Sequence, residues 1–123
     1  MKLYRVMKSD VDGKPLVGDA SMMLGLRPTD PNQLHKRSDV PAIIGTDLVL
    51  PGDGGLSCFS DPRAIAIQSK KLLLWSIESD DFPAALIEIP AGKPHYLIEP
   101  SRGMRLDELQ LLLAGTRDLW QRA

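Results

Sequence analysis

Apolar and polar residues alternate in several short runs of this chain, and in one C-terminal run the apolar residues recur at helical spacing. The alternating runs predict strands at residues 2–8, 47–50, 56–60, 72–77, 84–89 and 95–99. Leu106, Leu109 and Leu113 predict a helix over residues 105–121, with Gly115 weakening its middle. This order predicts an α+β fold in a single domain over residues 1–123, with a mixed or antiparallel β-sheet core and a C-terminal helix.

The first strand carries an arginine among apolar neighbours. Alternation places Leu3, Arg5 and Met7 on one face of the strand, with Tyr4 and Val6 on the other. A charge in such a position lies near the sheet edge, snorkels to solvent or is paired in a cleft. Arg5 is therefore a candidate for clamping a phosphate or a ribose, and the alternative is a solvent-facing or salt-bridged arginine.

Between the strands, two segments predict short helices. A helix is expected to begin at Ser21, and Gly25, Pro28 and Pro31 prevent it from becoming long. Residues 16–40 are otherwise irregular, and a loop of that length indicates a functional segment. Asp61 followed by Pro62 predicts the start of a helix that extends to about Gln68.

Composition and charge narrow the classes of function. The 123 residues include 15 basic and 16 acidic ones, so the formal net charge of -1 argues against a nucleic-acid binder and against an RNA-directed enzyme. Cys58 is the single cysteine, which excludes an intramolecular disulfide and favours a reducing compartment, the cytoplasm. The sequence shows no signal peptide, no apolar run of roughly 18 residues that could cross a membrane, and no metal-ligand spacing.

The strand at residues 56–60 carries the first candidate chemistry. Gly54 and Gly55 precede it and allow a ligand to approach the backbone closely, so that Ser57 could hold a ribose or a phosphate. The alternative is a glycine turn that leads into a core strand. Cys58 is a weaker candidate nucleophile, because a cysteine in the middle of a strand is typically a small buried apolar residue.

Carboxylates and a His-Tyr pair are further candidates. Glu88 and Glu99 lie in short apolar strands, where either could stabilise the cationic sugar-like transition state of glycosidic bond cleavage. Glu78 belongs to the same set, and the alternative for each is an outward-facing strand residue. His95 and Tyr96 could line a pocket or serve a structural role at the start of their strand.

Taken in order, three segments resemble a known family. They are Leu3-Tyr4-Arg5-Val6, the run from Gly54 to Asp61, and the run from His95 to Pro100 followed by the C-terminal helix. The chain resembles the Tse-type effector toxins of type VI secretion, which have an ADP-ribosyltransferase-like fold. The resemblance implies NAD as a substrate, action in the cytoplasm of a target cell, and neutralisation by a cognate immunity protein or antitoxin.

The resemblance also implies roles for individual residues. It makes Ser57 a catalytic residue, and it leaves Glu99 and Glu88 as candidates for the catalytic glutamate. The implied NAD contacts are Arg5, Tyr4, Gly55, Ser57, Phe59, His95 and Tyr96. Leu56 stands where the family tends to have a hydroxyl residue. We therefore expect a toxin that transfers ADP-ribose or hydrolyses NAD, with a non-enzymatic partner-binding module on the same fold as the alternative.

Overall fold

An antiparallel sheet of six strands dominates the structure, a computed structural model that describes residues 1–67 and 69–123. The elements in chain order are β1 (Lys2–Lys8), β2 (Leu48–Val49), β3 (Leu56–Phe59), β4 (Leu72–Glu78), β5 (Leu86–Pro90), β6 (His95–Pro100), β7 (Met104–Arg105), α1 (Leu106–Gly115) and β8 (Gln121–Arg122). The strand order in the sheet is β5-β6-β3-β1-β4-β8, and β2 pairs with β7 in a small second sheet. The predicted α+β class, an antiparallel sheet with a C-terminal helix, is confirmed.

One face of the sheet carries the hydrophobic core. Leu3 and Met7 of β1 are fully buried there, as the alternation predicts. Helix α1 contributes Leu106, Leu109 and Leu113 to the same cluster. The irregular segment between β1 and β2 also contributes to this core, with Leu24, Leu26 and Val40. A long connection without regular structure is thus held in place because it buries apolar side chains.

The C-terminal helix is shorter than predicted. Helix α1 ends at Gly115, a 3-10 helix covers Arg117–Leu119, and β8 then pairs with β4. The expected weak point at Gly115 is confirmed, but the predicted continuation of the helix to residue 121 is wrong. The buried Trp120 explains the change of direction, because its indole Nε1 donates to Thr116 Oγ1 at 3.0 Å and holds the chain end against the core.

Two predicted short helices also differ from the structure. The segment that begins at Ser21 is a turn rather than a helix, and Met22 adopts a left-handed backbone conformation with φ 61°. The segment after Asp61 forms a 3-10 helix over Pro62–Ala64, capped by the Asp61 side chain, and residues 65–67 are not helical. Gln68, where that helix was predicted to end, lies outside the described residues.

Strand β1 has two very different neighbours. It pairs with β4 at seven successive positions, from Lys2 with Glu78 to Lys8 with Leu72. With β3 it pairs at one position, Tyr4 with Phe59. Beyond that pair the two strands separate, so main-chain groups of β1 and β3 are available to side chains and ligands. This gap positions the candidate site. In the described residues no helix has the length and hydropathy needed to cross a membrane.

Candidate functional site

Arg5 fills the gap between β1 and β3. Its Nη1 donates to the main-chain oxygen of Ser57 at 2.9 Å, which satisfies a carbonyl that the separated strands leave without a ladder partner. Its Nη2 donates to the main-chain oxygen of Met23, also at 2.9 Å. The guanidinium therefore joins the sheet to the turn at residues 21–24, and it does so at the floor of a cavity.

The charge of Arg5 has no direct counter-ion. Within the described residues no carboxylate forms an ion pair with it, and its Nε is buried without a hydrogen-bond partner. Burial lowers the pKa of Arg5, and the negative charge of Asp39, which forms no ion pair with it, acts in the opposite direction. A buried cation that lacks an anion is costly. Such a group favours the binding of an anionic ligand, which would supply the missing charge.

The cavity above Arg5 has a volume of about 360 Å³. Three guanidinium groups line it, those of Arg5, Arg27 and Arg37. The remaining lining comes from Val6, Ser21, Met22, Ser57, Phe59 and Ile65. Planar guanidinium groups match phosphate and carboxylate oxygens with two parallel hydrogen bonds, so this lining suits an anion.

Arg27 is largely compensated by Asp39. Its Nη2 and Nε donate to the two oxygens of the Asp39 carboxylate at 3.0 and 3.2 Å, and its main-chain N–H donates to the same carboxylate at 2.7 Å. This pairing raises the pKa of Arg27. The segment is packed tightly against the turn before β3, because a Cβ at Gly54 would lie 2.0 Å from the Asp39 carbonyl oxygen. Arg5 and Arg37 therefore supply most of the net positive charge at the cavity.

Ser57, Phe59 and His95 form one cluster on β3 and β6. Ser57 Oγ lies 2.7 Å from His95 Nε2, within hydrogen-bond distance. The imidazole ring of His95 is stacked on Phe59, with 5.1 Å between ring centroids and 29° between planes. Phe59 and His95 are directly paired across the two strands. The cluster thus places a hydroxyl, an imidazole and an aromatic ring beside the arginines.

A second cavity of about 580 Å³ continues from the first. The two share Ser21, Arg27 and Arg37, so they form one groove. Lys36, Thr29, Asp19 and Asp30 are among the groups at the far end. The two volumes together leave room for a ligand with several anionic and polar parts, and Arg37 places a positive charge where the two cavities meet.

Four of the residues predicted for the site meet at the cavity. Arg5, Ser57 and Phe59 line it, and His95 contacts both Ser57 and Phe59 from behind. Tyr4 is the neighbour of Phe59 at the single β1–β3 pair. Tyr96 pairs with the buried Cys58 and belongs to the core, away from the cavity lining.

Gly55 and the two candidate glutamates lie elsewhere. A Cβ at Gly55 would lie 2.3 Å from the Ile98 carbonyl oxygen, so this glycine allows β3 to approach β6. Glu99 is 4 % exposed, and its Oε1 accepts the Gly52 main-chain N–H at 2.8 Å, which holds the turn before β3. Glu88 lies on the edge strand β5, paired with Ile98. Among the described residues, neither glutamate lines the cavity.

Cys58 lies next to Ser57 but faces the core. It is fully buried, and burial raises the pKa of its thiol to about 12. The thiolate is the nucleophilic form of cysteine, so a thiol with this pKa is inert near neutral pH. The lower priority of Cys58 as a nucleophile agrees with its position.

Sequence reasoning missed Arg27, Arg37 and Ile65 as parts of the site. The two arginines lie in the irregular segment at residues 16–40, where no periodic pattern indicates which side chains turn inward. The length of that segment was the available signal, and it pointed to the region rather than to the residues. In the part of the chain that the structure describes, no cluster of three or more metal-ligating side chains is present.

Comparison with known proteins provides no relative to set beside this geometry. No family model, no curated protein and no solved structure matches the chain. The chemistry of the site therefore has to be argued from its own groups. They are the buried guanidinium of Arg5 without a counter-ion, the exposed guanidinium of Arg37, a hydroxyl in contact with an imidazole, and an aromatic ring. Such a set can bind an anion that also carries a sugar or a planar ring.

Proposed function

We propose that this protein is a cytoplasm-acting bacterial toxin that binds NAD and cleaves its nicotinamide–ribose bond, by ADP-ribosyl transfer or by hydrolysis, on an ADP-ribosyltransferase-like fold. The observation that carries the proposal is Arg5 in the gap between β1 and β3, buried without a counter-ion and beside Ser57. A dinucleotide offers what this site lacks, because its pyrophosphate brings negative charge to the guanidinium groups.

The other groups of the cavity fit the same ligand. Arg37 is exposed at the meeting point of the two cavities, where a second phosphate oxygen can be bound. Phe59, with His95 stacked on it, presents a flat apolar surface to a base or to nicotinamide. Ser57 can hydrogen-bond a ribose hydroxyl. The two joined cavities suit a ligand with two ring systems joined by a charged bridge.

Expression in a bacterial host tests the toxin part of the proposal. We expect the wild-type protein to slow growth and deplete cellular NAD, while Arg5→Ala and Ser57→Ala do neither. Isothermal titration of the purified protein with NAD tests binding directly. A wild-type protein that leaves growth and NAD unchanged and binds no NAD would contradict the proposal.

A non-enzymatic partner-binding module on the same fold is the second candidate. It is favoured by one observation: within the described residues no carboxylate lines the 360 Å³ cavity, and Glu99 is engaged with Gly52. Cleavage of a glycosidic bond usually employs a carboxylate near the sugar. A purified protein that binds no NAD and forms a stable complex with the product of a neighbouring gene would favour this candidate.

An immunity protein or antitoxin is the partner that we propose under either candidate. A groove of about 560 Å³ beside α1 supports an interaction there, because Val17, Ile43 and Leu111 line it and are exposed. Leu111 is 74 % exposed on the outer face of the helix. Co-expression with the neighbouring gene product should give a complex that Leu111→Asp weakens and Glu88→Gln, on the distant edge strand, does not.

A further inference from the structure

The contact between Ser57 and His95 has the geometry of a nucleophile and its base. Ser57 Oγ and His95 Nε2 are 2.7 Å apart, which is within reach of direct proton transfer. The hydroxyl lines the cavity, and the imidazole lies behind it, so the serine stands between the base and any ligand. This is the order of groups that an activated serine requires.

The imidazole is held in one orientation. Its stacking on Phe59 restrains the plane of the imidazole ring. Phe59 and His95 are directly paired across β3 and β6, which sets the two side chains next to each other. The backbone on both sides belongs to the sheet rather than to a loop. A base that already contacts the hydroxyl needs no large rearrangement before it takes the proton.

The cavity lacks the group that usually faces a reacting sugar. Among the described residues its lining contains no carboxylate, while three guanidinium groups are present to hold an anionic substrate. Two serines, Ser21 and Ser57, line the cavity, and of these Ser57 has its hydroxyl in contact with an imidazole. We therefore take the hydroxyl of Ser57 as the nucleophilic group. A sugar carbon that becomes electron-poor in the cavity would meet this oxygen first.

We propose that Ser57 is a covalent nucleophile that accepts ADP-ribose from NAD; this inference rests on the function proposed above. A bond forms between Ser57 Oγ and the anomeric carbon C1′ of the nicotinamide ribose. The bond between C1′ and the pyridinium nitrogen breaks, and its electron pair neutralises the ring, so that nicotinamide leaves uncharged. The serine proton passes to His95 Nε2, which requires the tautomer with its hydrogen on Nδ1, and from there to water. The ADP-ribosyl group stays on Ser57 until water or an acceptor removes it.

Mass spectrometry of the protein after incubation with NAD tests this step. We expect acid-quenched wild-type protein to carry one ADP-ribosyl group, mapped to Ser57, and to exchange labelled free nicotinamide into NAD. Ser57→Ala should carry none and should release no nicotinamide, although it keeps the main-chain carbonyl that Arg5 contacts. Ser60→Ala is the matched control, because its hydroxyl contacts the Pro94 carbonyl rather than His95 and its loss should leave labelling unchanged.

His95→Gln separates a base from a positioning group. Glutamine can donate a hydrogen bond to Ser57 Oγ but cannot take its proton at neutral pH. We expect NAD affinity within about twofold of the wild type and a labelling rate lower by roughly 10²–10⁴-fold, the usual contribution of general-base catalysis. A loss of affinity with an unchanged rate would show that His95 only shapes the cavity.

The outcomes distinguish this inference from the function on which it rests. If Ser57→Ala binds NAD and releases nicotinamide as fast as the wild type, Ser57 is not the nucleophile, and the NAD-cleaving function stands. If the wild type releases nicotinamide but shows neither an adduct nor nicotinamide exchange, the covalent step is likewise overturned. If the wild type neither binds nor cleaves NAD, the proposed function fails, and the inference fails with it.

Discussion

The two sides of strand β1 are built from different interactions. Towards β4 the strand is paired at seven successive positions and buries Leu3 and Met7 in the core. Towards β3 it is paired once, and the guanidinium of Arg5 takes the place of the missing main-chain hydrogen bonds. One side is closed and apolar, and the other is open and charged. The two edges of a single strand thus differ in structure, since a continuous ladder closes one and a cavity opens beside the other.

The paired residues Arg5 and Trp75 bring this contrast to one position. They face each other across β1 and β4. Trp75 is 1 % exposed, and its indole Nε1 donates to the Met7 main-chain oxygen at 3.1 Å, so its polar group is satisfied inside the closed side. Arg5 extends the other way and keeps a buried Nε without a partner among the described residues. A polar group left unsatisfied in this way reduces stability, and such groups recur at binding sites.

The largest expected effect is on the closed side. Leu3→Ala removes a fully buried side chain paired with Ile77, and we expect the free energy of unfolding to fall by about 2–5 kcal/mol. The matched change on the open side is Ile65→Ala, at a half-buried residue of the cavity wall, with an expected loss below about 1 kcal/mol. Urea unfolding followed by circular dichroism measures both. Equal losses would remove the distinction between the two sides.

Strands β1 to β6 could be predicted, and so could the face on which Arg5 lies, whereas β7 and β8 fall at the ends of the predicted helix. Alternation in the first strand placed Arg5 with Leu3 and Met7, and both apolar residues are buried as expected. The partners of β1 could not be predicted, because local alternation contains no information about which strands meet or where they separate. The gap that makes Arg5 a candidate anion site is a property of that pairing.

Other parts of the site depend on contacts between distant residues. Arg27 and Arg37 lie in an irregular segment that packs at Asp39 against Gly54, in the turn before β3, and no periodic pattern indicates this contact. Glu99 lies in an apolar strand, as a catalytic carboxylate could. Its contact with the Gly52 N–H becomes evident only when the turn and the strand are seen together.

The second largest effect is expected on ligand binding at the open side. Arg5→Met keeps an unbranched apolar stem and removes the charge, and we expect NAD affinity to fall by roughly 10–100-fold, the value of one or two charge-assisted hydrogen bonds. Arg122→Met is the matched control, because Arg122 lies over the Trp75 ring on the closed side and loses the same charge. Isothermal titration measures both variants. A similar loss in both would indicate general charge attraction rather than a site at Arg5.

The pH dependence of stability should report how completely β3 buries Cys58. The folded thiol has a pKa of about 12, against roughly 8.5 for an unfolded chain. Above pH 8.5 the unfolded chain ionises while the folded protein does not, so stability is lost as the pH rises. By pH 10 this single group should cost about 2 kcal/mol.

Cys58→Ala isolates that contribution, because every other titrating group is shared with the wild type. The free energies of unfolding of the two proteins, measured in a reducing buffer at pH 7 and pH 10, should converge by about 2 kcal/mol as the pH rises. If the difference between the two free energies of unfolding stays the same from pH 7 to pH 10, the gap beside β3 admits enough water to ionise the thiol in the folded state. Water would then reach the part of the core that lies beside β3.

The smallest effect is expected at Glu99. Glu99→Gln keeps the shape of the side chain and a carbonyl acceptor for the Gly52 N–H, but it exchanges a charged hydrogen bond for a neutral one, which should cost about 1 kcal/mol. Glu88→Gln on the edge strand is the control, with an expected change below about 0.5 kcal/mol. Nicotinamide release should follow the folded fraction in both variants. A hundredfold loss of release by fully folded Glu99→Gln protein would instead make Glu99 the catalytic carboxylate and place the chemistry at the turn before β3, outside the gap that Arg5 fills.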